Sequence, residues 1–163
     1  MPDDPKLFDL LTVWEHLQFI AAAYRVENLT EVAEPLLSRF ELSEKRHALA
    51  QSLSRGMRQK VAICCAYLHD PSVVLLDEPM TGLDPRGIRT LKQSITERAA
   101  RGKAVVISSH LLSLIDGLCT HLLIVNRGKA LFMGTVDEAR KRHAALRADA
   151  SLEEIFFEAT GQG

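Results

Sequence analysis

The sequence predicts an α/β fold, with a partial, mostly parallel sheet and a helical subdomain before it. Three observations predict this. The apolar run Val73-Val74-Leu75-Leu76 leads into Asp77-Glu78-Pro79, the pattern of a strand buried on both faces and ended by proline. A second apolar run, Ala104-Val105-Val106-Ile107, follows a helical stretch over 86–100. Strand–helix–strand order implies parallel neighbours joined by a right-handed crossover. Before residue 70 no segment has a strand pattern, and helical spacing dominates.

The elements follow in order. Residues 1–11 form a loop with two prolines. From Thr12 to about Arg25, Val13, Leu17, Ile20 and Tyr24 recur at helical spacing. Glu15, three residues after Thr12, suggests a capping box. Val32, Leu36, Leu37 and Phe40 mark a helix over 30–40, capped by Thr30 or Asn28. The pattern over 44–53 is weaker. A helix over 55–69 places Val61, Cys64, Cys65 and Leu68 inside, and Asp70-Pro71 stops it. After strand 73–77, loop 79–85 leads to the 86–100 helix and then to strand 104–107. A helix near 112–118, a strand over 121–126, a turn at 126–129 and a short returning strand over 130–133 come next. Helices near 135–143 and 151–159 close the chain.

Composition narrows the functional classes. The 163 residues suffice for one domain with a core. Net charge near −1 gives no general attraction to nucleic acid or acidic lipid, so no nucleic-acid partner is expected. No run reaches the ~18 apolar residues of a membrane span. Met1-Pro2-Asp3-Asp4-Pro5 lacks the features of a signal peptide. Cys64, Cys65 and Cys119 cannot all pair within the chain, which suits reduced thiols and a cytoplasmic location. Any membrane link would come through a partner.

Several residues can carry chemistry. Asp77 and Glu78 should emerge at the carboxyl end of a strand, where open α/β sheets place ligands. Consecutive side chains leave in different directions. One can hold a metal, directly or through water, while the other faces a reacting water. A helix cap or a surface loop pair is the alternative. His110, just past strand 104–107, can orient a water or touch a phosphate oxygen; it can equally be structural or cap the next helix. Ser54-Arg55-Gly56-Met57 opens the 55–69 helix, whose free N–H groups suit phosphate. An ordinary N-cap serine with an incidental glycine is the alternative. Asp84, before Pro85, fits the cap of the next helix. His16, His47, His69, His121 and His143 have no ligand spacing, and cysteines and histidines form no zinc pattern. Arg140-Lys141-Arg142-His143 reads as a solvated helix face.

Together these segments resemble the ATP-binding subunit of an ATP-binding-cassette (ABC) transporter. Leu53-Ser54-Arg55-Gly56-Met57-Arg58-Gln59-Lys60 resembles the family signature Leu-Ser-Gly-Gly-Gln, with Arg55 and Met57 replacing glycine and glutamine. That variation resembles an exporter branch. The 73–79 segment resembles the Walker B strand and its glutamate, Gly82-Leu83-Asp84 the D-loop, and His110 the switch histidine. The resemblance implies a P-loop NTPase-like fold and an ATPase that drives transport. Asp77 would help hold Mg²⁺, Glu78 would polarise the attacking water, and His110 would contact the γ-phosphate of ATP. Ser54, Arg55 and Gly56 would meet ATP held mainly by a second ATP-binding subunit, and Asp84 would cross that interface. Asp3 occupies the position of the family's Mg²⁺-binding glutamine. Residues 1–53 correspond to the Q-loop region and helical subdomain, 54–134 to the signature helix and catalytic core, and 135–163 to C-terminal helices. Transmembrane permease subunits would be partners, at the inner face of the cell membrane.

The chain contains no Gly-x-x-x-x-Gly-Lys-Ser/Thr phosphate loop. In the family that loop precedes the helical unit. The expectation is therefore a carboxyl-terminal two-thirds of a subunit, whether excised, truncated or half of a split protein, with weak or absent ATP binding on its own. A non-enzymatic fragment binding a membrane or cassette partner is the second reading. A soluble ABC ATPase is the third.

Overall fold

Thr12 starts the first helix as its spacing predicts. In the computed structural model, which describes residues 1–142 and 149–161, α1 spans Val13–Tyr24. Both arms of the Thr12–Glu15 capping box are made. Val13, Leu17 and Ala21 are buried on one face, giving the helix a reason to dock beyond its weak intrinsic stability. The next helix, α2, spans Leu29–Arg39. Asn28 holds its cap position in a left-handed conformation, φ 53°, but its side chain makes no capping bond. The weaker 44–53 stretch contains two short 3₁₀ turns, Ser43–Lys45 and Ala50–Ser52. Between residues 1 and 70 the described residues form one isolated bridge, Thr12 to Leu49, and no strand.

Helix α3 spans Arg55–Leu68 and packs on α1 and α2. Val61, Cys64 and Leu68 are buried as predicted, whereas Cys65 is only part-exposed at the helix flank. Strand β1, Val73–Asp77, pairs in parallel with β2, Ala104–Ser108, with Asp77 opposite Ser108. Between them lies α4, Pro85–Ala100. The expectation that β1 is buried on both faces is corrected. Val74 and Leu76 are buried, but Val73 and Leu75 are 57% and 63% exposed, and Val106 on β2 is 55% exposed. The alternation built into a strand sends these side chains to the opposite face, which no element of this unit covers.

Residues Met1–Ser108 form one unit and Ser109–Gly163 a second. In the second, α5 is only Leu112–Ile115, shorter than the predicted 112–118. Asp116 turns extended and Gly117 adopts φ 71°, so the helix stops there. Strands β3, His121–Asn126, and β4, Lys129–Thr135, form an antiparallel hairpin with a register shift at Ile124/Val125. The expected mostly parallel sheet is thus, among the described residues, one parallel pair and one hairpin. Helices α6, Val136–Arg142, and α7, Leu152–Thr160, follow. Ile115, Ile124, Phe132, Ala139, Ala150, Leu152 and Ile155 supply buried apolar side chains. Ser151 and Glu154 complete a second capping box. His143 lies outside the described residues.

Candidate functional site

The first unit brings two groups of predicted residues into defined geometry. The first group is the start of α3 with the loop before α4. Ser54 caps α3, its Oγ accepting the Met57 N–H at 3.3 Å. Two residues on, inside the first turn, Gly56 lies against the loop: a Cβ there would sit 2.6 Å from the Gly82 carbonyl oxygen. Only a residue without a side chain allows two backbones this close. Gly82 itself takes φ 79°, and the Arg55 side chain packs along it. Met80 and Leu83 are buried and fix the loop from below. Asp84 caps α4 by accepting the Gly87 N–H at 3.1 Å, with Pro85 at the first helical position. Partial burial works against the charge on Asp84, but the Gly87 N–H and the Lys60 ammonium outweigh it and hold its carboxyl below the usual range.

The second group is the carboxyl end of β1. Asp77 Oδ1 accepts a hydrogen bond from the Ser108 hydroxyl at 2.5 Å, directly across the parallel register. Glu78 donates its N–H to the Ser108 carbonyl at 3.0 Å and accepts from the Thr81 N–H at 3.1 Å. Its φ is 44°. A left-handed conformation at a non-glycine residue costs roughly 1–2 kcal/mol. It turns the chain sharply out of the strand, and the loop bonds hold it there. Residue 1 runs beside the same strand. The Met1 amino group donates to the Leu75 carbonyl at 2.7 Å, and the Asp77 N–H donates to the Met1 carbonyl at 2.9 Å. Asp3, two residues on, is therefore held within roughly 7 Å of chain reach of that edge. Its Oδ1 is buried without a hydrogen bond, with the Arg55 guanidinium as an ionic neighbour at 3.6 Å.

These acceptors suit a hard cation. The Asp77 carboxylate is exposed and Asp3 carries an orphaned buried oxygen. Among the described residues no group of three or more His, Cys, Asp or Glu is arranged to hold a metal. His110 lies in the second unit, two residues beyond the end of β2. The three cysteines are free thiols; burial pushes Cys64 well above its ordinary value and Cys65 up to about 12.

Sequence reasoning missed three supporting residues. Ser108, just past the predicted strand 104–107, donates its hydroxyl to Asp77; the parallel pairing of two runs of like length is the available signal. Gln59, 1% exposed, donates Nε2 to the Pro79 carbonyl at 3.4 Å. Lys60 reaches Asp84 at 3.4 Å. Gly56 and Lys60 stand four residues apart, on one helix face, so the face that carries Gly56 to the loop also carries Lys60.

Comparison with known proteins identifies the family. A family described as "ABC transporter" matches residues 1–81. The ABC-type transporter ATP-binding protein EcsA of Bacillus subtilis is 33% identical over 162 residues, covering 98% of this chain and 65% of its own length. The ABC transporter ATP-binding protein NatA of the same organism is 32% identical over 134 residues, covering 80% of this chain and 54% of NatA. The chain thus spans between about half and two-thirds of these relatives. A solved structure titled "Structure of ATP binding subunit of ABC transporter" superposes with a TM-score of 0.91 at 35% identity, over 98% of this chain and 66% of that one. A parallel strand pair ending in Asp77-Glu78, a signature-like helix seated on the following loop, and these likenesses together place the chain in the ABC transporter ATP-binding family.

Proposed function

We propose that this chain supplies the strand end, signature helix and D-loop of a subunit that couples ATP hydrolysis to transport across a membrane, export being the favoured direction. One observation carries the reading. Asp77 is pinned by Ser108 at the carboxyl end of a parallel strand, and the Glu78 backbone is turned out of that strand by the same residue's carbonyl. The roles follow from chemistry and position. Asp77, with Asp3, holds Mg²⁺, which neutralises charge on the phosphates. Glu78 orients and polarises the attacking water. His110 donates to a γ-phosphate oxygen. Ser54 and Gly56, with Arg55 beside them, offer N–H groups, a hydroxyl and a cation at a helix start to ATP held by a second subunit. Asp84 meets that subunit. Orientation and charge stabilisation supply most of the rate in such transfers.

Permease subunits are the proposed membrane partners. They would hold the chain at the inner membrane face; among the described residues no helix is long and apolar enough to cross a membrane. Phe8, Leu10 and Phe19 are exposed and supply apolar contact surface. The same exposure favours the second reading, in which the 163 residues act as a non-enzymatic binding fragment.

The test measures phosphate release from ATP and Mg²⁺. The 163-residue chain is expected to match its E78Q variant at background. A chain extended at its amino end by a phosphate-loop segment is expected to hydrolyse ATP, with E78Q at least 100-fold slower, about 2.7 kcal/mol of barrier. Equal rates for the extended chain and its E78Q variant would reject the assignment of Glu78.

A further inference from the structure

The first unit holds one nearly buried ammonium, at Lys60. The residue is 8% exposed. Its Nζ lies 3.4 Å from Glu41 Oε2 and 3.4 Å from Asp84 Oδ1. The same Asp84 oxygen accepts the Gly87 N–H. Glu41 sits in the turn after α2 with φ 59° and also meets Arg86 at 3.3 Å. Three segments therefore converge on one cation: the α2 turn, α3 and the start of α4. Space has been left for it. A Cβ on Gly87 would stand 2.7 Å from Asp84 Oδ1 and 3.0 Å from Lys60 Cε, so glycine there keeps both the cap and the lysine stem in place.

We propose that Lys60 is a positioning residue, an ionic strut that sets the pose of Asp84 and ties the signature-like helix to the 79–84 loop and the α2 turn. This rests on the reading of Asp84 as a subunit-contact residue. The physical reason is the contrast in burial. Glu41, Asp84 and Arg86 are half exposed or more, and ion pairs between such groups are weak. Lys60 cannot retreat to water without leaving its site, so its two carboxylates are held to it. Beside it, the Gly56–Gly82 contact already fixes the other end of the loop. With both in place, a displacement of α3 is carried to Asp84 instead of being absorbed by the loop.

The experiment uses K60M and K60R in the 163-residue chain, followed by carbon-detected titration of the Asp84 carboxyl and amide exchange at Gly87. The groups facing Lys60 in this titration are Glu41, Asp84 and Arg86. K60M should raise the Asp84 midpoint toward the ordinary aspartate range and speed Gly87 exchange about fivefold, as loss of a cap does. K60R should restore both. An Asp84 titration unchanged in K60M overturns the proposal. If K60M does not fold, K60Q, which keeps polarity without charge, gives the same two outcomes. In the extended chain, K60M should lower kcat about tenfold with KM within about twofold, a change of about 1.4 kcal/mol, and K60R should recover it. Wild-type hydrolysis with an unaltered K60M rate overturns the role of Lys60. Absence of hydrolysis in the wild-type extended chain instead removes the nucleotide reading on which that role rests.

Discussion

The junction of α3 with the loop 79–84 and the outer face of the β1–β2 pair belong to the same unit, yet they are finished to different degrees. At the junction the backbones touch at Gly56 and Gly82, both helix starts are capped, and the buried Gln59 and Lys60 have partners. On the sheet, Val73, Leu75 and Val106 present apolar side chains to solvent, beside a cleft lined by Met1, Pro2 and Leu75. The lesson is about range. The caps are complete within short stretches of chain, and the glycine contact and ion pairs join segments that α3 and the loop bring side by side. A strand written for cover on two faces forms here with cover on only one.

The largest effect expected tests the covered side of that strand. Leu76 is 2% exposed, and L76A should cost about 3 kcal/mol in urea unfolding. A loss under about 1 kcal/mol would mean the inner face is no better packed than the outer.

G56V comes next. Its Cβ would meet a backbone carbonyl that cannot rotate away, and a branched side chain is poorly accommodated in a helix. A loss of about 2 kcal/mol is expected, and Gly87 should lose amide protection because the loop must shift.

A smaller effect comes from the turn ahead of β1. A hydrogen bond from Lys103, opposed by slight burial and reinforced by the nearby Arg98 guanidinium, holds the Asp70 carboxyl below its ordinary value. A depressed folded-state value means stability that is present above the ordinary aspartate titration near about 3.9 and lost as pH falls through the folded value. Asp70 is well exposed, so screening limits this to below about 1 kcal/mol. D70N should flatten the acid limb of a stability–pH curve, and added salt should do the same.

The smallest effect on stability sharpens the comparison most. L75T, on the uncovered face, should change unfolding by less than about 0.5 kcal/mol. It should also weaken self-association in sedimentation, because an exposed apolar sheet surface invites pairing. A cost approaching that of L76A would show that Leu75 is covered in solution.

The sequence was most legible where a signal and its structure share a few residues. Thr12 with Glu15 announces α1, Asp84 with Pro85 announces α4, and Asp-Glu-Pro announces the end of β1. Parallel pairing of the two apolar runs was equally readable, since a helix of α4's length leaves few other connections. What was not legible lies in contacts between distant segments. The bond from Ser108 to Asp77 spans 31 residues, and Lys60 meets Glu41 and Asp84 from opposite directions along the chain. The burial of β1 differs from its pattern for the same reason: an apolar run states what a strand tolerates, and its actual cover depends on elements elsewhere. The candidate site was recognisable from the order of its motifs, but each motif alone, such as Ser54 before Gly56, reads as well as a helix cap, and the structure displays that cap.

In the proposed function, Asp77 and Glu78 lie beside one Mg²⁺-bound triphosphate. The direct measurement replaces Mg²⁺ with paramagnetic Mn²⁺ and adds ATP to the E78Q form of the extended chain, then follows the amide resonances. Selective broadening at residues 77 and 78, abolished by excess Mg²⁺, is the predicted result. Broadening at neither residue, or broadening that excess Mg²⁺ leaves in place, would contradict it.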